Sequence, residues 1–292
     1  MIWKERWELI KNTCIEFVRE SSLMHGAALS YYSILALIPM MYLAITYVGR
    51  LVGNEVVVQI ISGVMKDWVG VKDSSGIFKI LNEINFQNSS LFLQIAGVIA
   101  LLFSCSAIFN SLRVSLNTFY DIDDFPLERK RVIIHNLIGR LVSMAFVLGV
   151  TVLIIVLYFG ATMFLSFGTQ LLSDSEMLST AFIGFIDNAV PVLTNLILFT
   201  FIFKFMHDGK VSTRYAFRGA LVTTGLLFIG QLLIHYYLSH YFFAANGGVA
   251  GTMLVTLVWV YYMSQIIFFG AKYIAVFARM KGNPIEHRSI KK

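Results

Sequence analysis

The sequence predicts an all-α, polytopic membrane protein. It should be a bundle of six transmembrane helices with both termini in the cytoplasm, an N-terminal amphipathic helix, and short extracytoplasmic helices between spans 1 and 2. Three observations carry that expectation. Hydrophobic residues make up 57% and charged residues 14% of the 292-residue chain, against roughly 45–50% and about 25% in soluble domains. The apolar excess is gathered into runs of about 20 residues, the length that crosses a hydrocarbon core of about 30 Å. With the N-terminus inside, nineteen of the 23 Lys and Arg residues fall in cytoplasmic segments and four outside, the asymmetry that sets orientation.

Residues 1–21 are not expected to be a signal peptide, because charges run right through them. Trp3, Trp7, Ile10, Cys14 and Phe17 recur at helical steps and form one face. Such a face suits a helix lying in the membrane interface or one packed under the bundle. The membrane domain, 22–280, carries spans near 26–49, 91–112, 139–167, 187–206, 217–238 and 251–276. A stretch at 51–90 is too polar to span. Within it Val57, Ile60, Ile61, Val64 and Trp68 form the apolar face of a short helix in an outer cap. A basic tail, 281–292, ends the chain. No tandem or inverted repeat is visible, which weakens the common secondary-transporter plan.

The net charge of +6 is spread over several short loops and tails. The positive-inside rule and anionic headgroups account for it, and no nucleic-acid partner is expected. Cys14 and Cys105 form no disulfide framework and no CxxC site.

Several stretches have a familiar form. AALSYYSILALIPM lies in the first span, NSLRVSLNTFYDI at 110–122, and GGVAGTMLVTLVWVYYMSQIIFFGAKY at 247–273. The chain resembles the YihY/BrkB family of inner-membrane proteins, and the resemblance covers nearly its whole length. The family's asparagine at the exit of the second span stands at Asn117. The family usually has Glu after the last Gly-Ala pair, where this chain has Lys272. The resemblance implies a membrane fold. It implies no settled activity: members have carried ribonuclease BN-like, virulence and serum-resistance labels, and envelope lipid traffic has been suspected.

Metal-dependent phosphodiester cleavage needs clustered His, Asp or Glu ligands. The six histidines include no HxH or HxxxH pair. The acidic run DIDD at 121–124 adjoins LERKR and reads as a solvated turn. No Ser-His-Asp set, P-loop or glycine fingerprint is present. The chain is therefore expected to be no enzyme and to carry no metal or cofactor.

Polar side chains inside spans are costly and tend to face the bundle interior or a wet cavity. In the second span Ser106, Asn110, Arg113 and Asn117 recur at helical spacing as one stripe. It either glues helices together or lines a cavity where Arg113 meets an anionic headgroup. In the first span Gly26, Ser30 and Ser33 form a small-residue face, Tyr31 and Tyr32 stand beside it, and Pro39 loosens the helix. Asp187 is an ion site or, with Pro191, belongs to the first turn of its helix. Gln231 and His235 share a face of the fifth span. Gln265 and Lys272 share one in the last, where Lys272 can snorkel.

The function expected is transport or export of an amphipathic envelope molecule such as an anionic lipid or glycolipid, in the bacterial inner membrane. The alternative is a membrane scaffold that anchors a periplasmic, envelope-spanning protein through the cap. Membrane lipids are the expected partners, with a second copy of the chain as a further candidate.

Overall fold

A computed structural model describes residues 2–43, 91–122, 176–240 and 248–287, with isolated positions within 53–63 and 149–168. Six helices form among them: α1 (Ile2–Arg19), α2 (Ser22–Leu43), α3 (Leu91–Phe119), α4 (Glu176–Phe205), α5 (Thr213–His240) and α6 (Gly248–Met280). The described residues hold no strand, only an isolated antiparallel bridge between Gly209 and His287. Among the described residues, two helical segments are long and apolar enough to cross a membrane, Ile95–Phe119 and Met253–Met280, and α4 has a shorter apolar stretch, Ala189–Phe205. The expected span at 139–167 lies largely outside the described residues, and so does the cap at 51–90.

α3 outruns the apolar segment read from sequence, because its backbone hydrogen bonding continues where side chains turn polar. α3 extends to Phe119. α4 starts at Glu176, which places Asp187 and Pro191 inside the helix and not in its first turn. That corrects the first-turn reading of both residues.

The described chain divides into two compact units. One comprises Met1–Glu16, Leu116–Gly225 and Phe269–Lys292; the other comprises Phe17–Ser115 and Leu226–Phe268. In the first unit α1 packs through Leu9 and Thr13, both buried, and Leu9 shares a core with Val276 and Phe277. The face marked by Trp7 and Ile10 points the other way and is uncovered, Trp7 being 68% exposed. The helix thus packs by a face that aromatic periodicity did not select.

Helix ends in this unit follow backbone rules. At the end of α3, Asp121 N–H donates to Thr118 O at 3.1 Å and Ile122 N–H to Asn117 O at 3.0 Å. This is a Schellman closure. Asp121 occupies its left-handed position, with φ 56°, where glycine is the usual residue and Asp is tolerated. α6 closes the same way, with Gly282 at φ 74°.

α5 and α6 approach closely through small residues, the packing device of helices in lipid. Ala216, Ala220 and Thr223 on α5 are fully buried, as are Ala271, Ile274 and Ala278 on α6. A Cβ added to Gly270 would lie 1.9 Å from Thr223 Oγ1.

The second unit uses the same device. A Cβ on Gly26 would fall 2.0 Å from Gln265 Nε2, and Gln265 donates to Ser22 O at 3.1 Å. Gly230 is covered by the Tyr262 ring. His25 Nδ1 lies 2.9 Å from Ser115 Oγ, which itself donates to Ser111 O at 2.8 Å. The serine oxygen is therefore the acceptor, and the network assigns His25 its proton on Nδ1.

Gly270→Ala should lower stability by about 1–3 kcal/mol through overpacking, read as a fall in Tm in detergent. Adding Thr223→Ala should restore most of it. An unchanged Tm for the single variant would show that the two helices can separate at no cost.

Candidate functional site

The strongest concentration of charge among the described residues surrounds Lys272 on α6. Its side chain is 0% exposed. Its Nζ donates to Asp121 Oδ1 at 2.7 Å and lies 3.3 Å from Glu16 Oε2. Arg279, two turns further along α6, pairs with Glu16 and sits 3.7 Å from Asp121 Oδ2. Two cations and two carboxylates thus alternate, contributed by α1, the turn after α3, and α6. Both carboxylates keep partial contact with the outside, 27% for Glu16 and 44% for Asp121.

Each part is placed by a local rule. The Schellman turn holds Asp121 at the exit of α3. The buried face of α1, which includes Leu9 and Thr13, carries Glu16 one turn further on. Lys272 projects from the small-residue face of α6 beside Ala271. A buried ammonium without partners would cost several kcal/mol, so the burial of Lys272 depends on these partners. Lys272 does not snorkel, and Asp121 is not merely part of a solvated turn; both expectations are corrected by this pairing.

A second constellation ties the same exit of α3 to the end of α4. Asn117 Nδ2 donates to Asp208 Oδ2 at 2.7 Å, and Asp208 N–H donates to Asn117 Oδ1 at 2.9 Å. His207 is buried; its Nδ1 accepts from Gly209 N–H at 2.9 Å and its Nε2 lies 2.8 Å from Phe203 O. These roles assign the neutral tautomer protonated on Nε2. Tyr120 packs edge-on against His207 and donates to the same carbonyl at 3.2 Å. Burial pushes the Tyr120 phenol well above its ordinary pKa, which keeps it a neutral donor. Phe203 O, an orphan carbonyl of a helix end, is thereby satisfied by side chains. Lys210 N–H then donates to Glu286 O at 2.9 Å, which docks the C-terminal segment on this loop.

The other residues singled out from sequence have varied surroundings. Ser30 is buried and donates to Gly26 O at 2.8 Å, and Ser33 donates to Leu29 O at 2.8 Å, so both hydroxyls return to their own helix. Tyr31 is 59% exposed and meets half-buried Tyr32 edge-to-face. α2 stays helical through Pro39, whose side chain lies outside the described residues. Along α3, Ser106 is buried, Asn110 exposed, and Arg113 and Asn117 half-buried. Gln231 is half-buried on α5. The side chains of Asp187 and His235 lie outside the described residues, as do Val57, Ile60, Ile61, Val64 and Trp68 altogether.

Of the sequence candidates, the first unit brings Asn117 and Lys272 to the same turn, each through an acidic partner. Those partners, Asp208 and Asp121, were missed, and so were Glu16, His207 and Arg279. Only Asp121 had a local signal, as the acidic residue that directly follows a long apolar helix.

Comparison with known proteins agrees with a membrane protein. A family profile described as "Virulence factor BrkB" matches residues 14–291. A putative ribonuclease-like protein, YfkH, of Bacillus subtilis is 26% identical over 267 residues, covering 90% of this chain and 92% of that one. A UPF0761 membrane protein of Legionella pneumophila is 24% identical over 281 residues, and the match covers 93% of this chain but 64% of that longer protein. A UPF0761 membrane protein of Aggregatibacter aphrophilus is 23% identical over 261 residues, covering 87% and 86%. No solved structure matches.

Removing a partner from the buried ammonium should cost more than removing the ammonium. Asp121→Asn should destabilise by about 1–3 kcal/mol, discounted from a fully buried pair because Asp121 is partly exposed. Lys272→Met should cost less, and the double variant should be no worse than Asp121→Asn alone. Thermal unfolding of the three variants checks the order. A reversed order would mean that the carboxylates, and not the ammonium, carry the desolvation cost.

Proposed function

The chain belongs to the BrkB virulence-factor family of membrane proteins, and from that premise we propose that it moves an anionic lipid or glycolipid of the cell envelope in the bacterial inner membrane. The observation that carries this reading is Lys272, a fully buried cation within an apolar helix, held by two carboxylates that remain partly exposed. Ionisable groups at such positions mark substrate and ion pathways.

The mechanism is partner exchange. Lys272 and Arg279 are a cation pair already set in place and neutralised by Asp121 and Glu16. A phosphate or carboxylate headgroup arriving at the exposed side can take over a cation from Asp121 or Glu16. The displaced carboxylate turns to water, and the buried ammonium is never left alone. Such an exchange avoids the desolvation cost that makes an isolated buried charge prohibitive. The headgroup's tails stay in the surrounding hydrocarbon.

In this reading the chain has six spans with both termini inside, and α1 lies at the inner surface with its uncovered Trp7 and Ile10 face in the headgroup region. The protein is not an enzyme. The rival reading, a scaffold that anchors a periplasmic partner, rests on the sequence of the cap, which lies largely outside the described residues.

Two measurements test the proposal. In liposomes containing the purified protein, labelled phosphatidylglycerol should cross between leaflets faster than in empty liposomes. Arg279→Gln, which keeps Lys272 paired, should slow it about tenfold, the worth of one charge-assisted hydrogen bond, with phosphatidylcholine unaffected. No acceleration over empty liposomes would favour the scaffold. For topology, a cysteine at exposed Lys281, in a chain with Cys14 and Cys105 replaced by Ser, should react with an impermeant maleimide in inverted vesicles only. Reaction in right-side-out vesicles would invert the orientation.

A further inference from the structure

α4 presents an open groove along its last turns. Leu196, Ile197, Thr200, Phe201, Lys204 and Phe205 line one side of it. Their steps place them on one helical face over about 13 Å. Val152 and Val156 stand across from them, and the cavity volume is about 590 Å³. Both valines are exposed, at 58% and 60%, so the groove is open along its length. Its lining is almost wholly apolar except towards one end. There the Lys204 ammonium donates to Thr213 Oγ1 and lies 5.4 Å from the centre of the Phe205 ring.

We infer that this groove is a binding site for one anionic phospholipid, with an acyl chain along Ile197 and Phe201 and the headgroup phosphate on Lys204 and Thr213. Three features select that occupant. The walls match hydrocarbon and offer nothing to a free anion. The cation is confined to one end, as a headgroup requires. The volume lies within the usual range of small-molecule sites, roughly 300–1,000 Å³, enough for a chain and part of a headgroup. A lipid needs no portal, because it enters sideways from the bilayer. The ring beneath the ammonium shields one side of it, and a phosphate approaching from the open side meets a cation and a hydroxyl together.

The inference deepens the lipid-handling reading and rests on it only for placing α4 in a bilayer. It concerns residues separate from Lys272 and predicts equilibrium binding, so its failure is distinguishable from a failure of transport. Native mass spectrometry of the full chain, titrated with phosphatidylglycerol or phosphatidylcholine, is the test. The natural protein should retain one phosphatidylglycerol about tenfold more tightly than phosphatidylcholine. Lys204→Gln should erase that preference, and Lys204→Arg should keep it. Ile197→Trp, which fills the groove, should remove the single retained lipid of either kind. Glycerol phosphate, a headgroup without chains, should fail to displace it. The inference is overturned if the preference survives Lys204→Gln, as expected of a lysine that only complements the C-terminal end of α4. It is overturned equally if the retained lipid survives Ile197→Trp in a folded protein.

Discussion

One buried ammonium sets the terms for much of what surrounds it. Lys272 has no access to solvent, and an unpaired charge there would be prohibitive. The chain meets the demand from two other elements at once, the turn after α3 and the first helix. Arg279 then pairs with the second carboxylate, so each of these four charges has an opposite neighbour. The backbone accommodates this at a cost. Asp121 holds a left-handed φ that glycine adopts more easily. What Asp121 supplies at that position is a carboxylate, which glycine lacks. The Schellman turn and the ion pair are thus one device: the first aims the side chain, and the second gives the aim a purpose.

Around that device, several hydroxyls are satisfied within their own helix. Ser30, Ser33, Thr13, Thr200 and Ser264 each donate to the carbonyl four residues back. In hydrocarbon this is the cheapest partner available. Longer links carry more specificity. His25 reaches Ser115, Gln265 reaches Ser22, and Asn117 reaches Asp208. Glycines permit these reaches. Gly26 leaves room for the Gln265 amide, and Gly209 sits where a side chain would strike Ile122 and Ile285. The close approach of helices and the polar links therefore depend on the same residues.

The legible part of the fold was the part encoded in runs. Apolar stretches located α2 to α6 as helices, and the periodicity of residues 3–17 located α1. Boundaries were less legible, because hydropathy marks where a helix is greasy and not where its hydrogen bonds stop. α3 shows this best, as it runs on through Arg113, Ser115, Asn117 and Thr118 beyond the apolar run that announced it. The packed face of α1 was missed for a related reason. Trp7 and Ile10 dominate its periodicity, yet a small threonine, Thr13, is the residue wholly buried. Size and hydropathy rank residues by their attraction to any apolar surface, and they do not say which surface is another helix and which is lipid.

By itself the sequence determined the class: an α-helical membrane protein, with its apolar segments and the family resemblance that the comparisons then showed. Those properties are local or additive, since a run of twenty apolar residues has the same meaning wherever it stands in the chain. Only the tertiary structure decided what Lys272 does. Its partner Asp121 lies 151 residues away, and Asn117 and Asp208 are 91 apart. No periodicity links such positions. Charge pairing at that range is selected by which helix ends meet, and helix ends meet only once small residues have let the helices close.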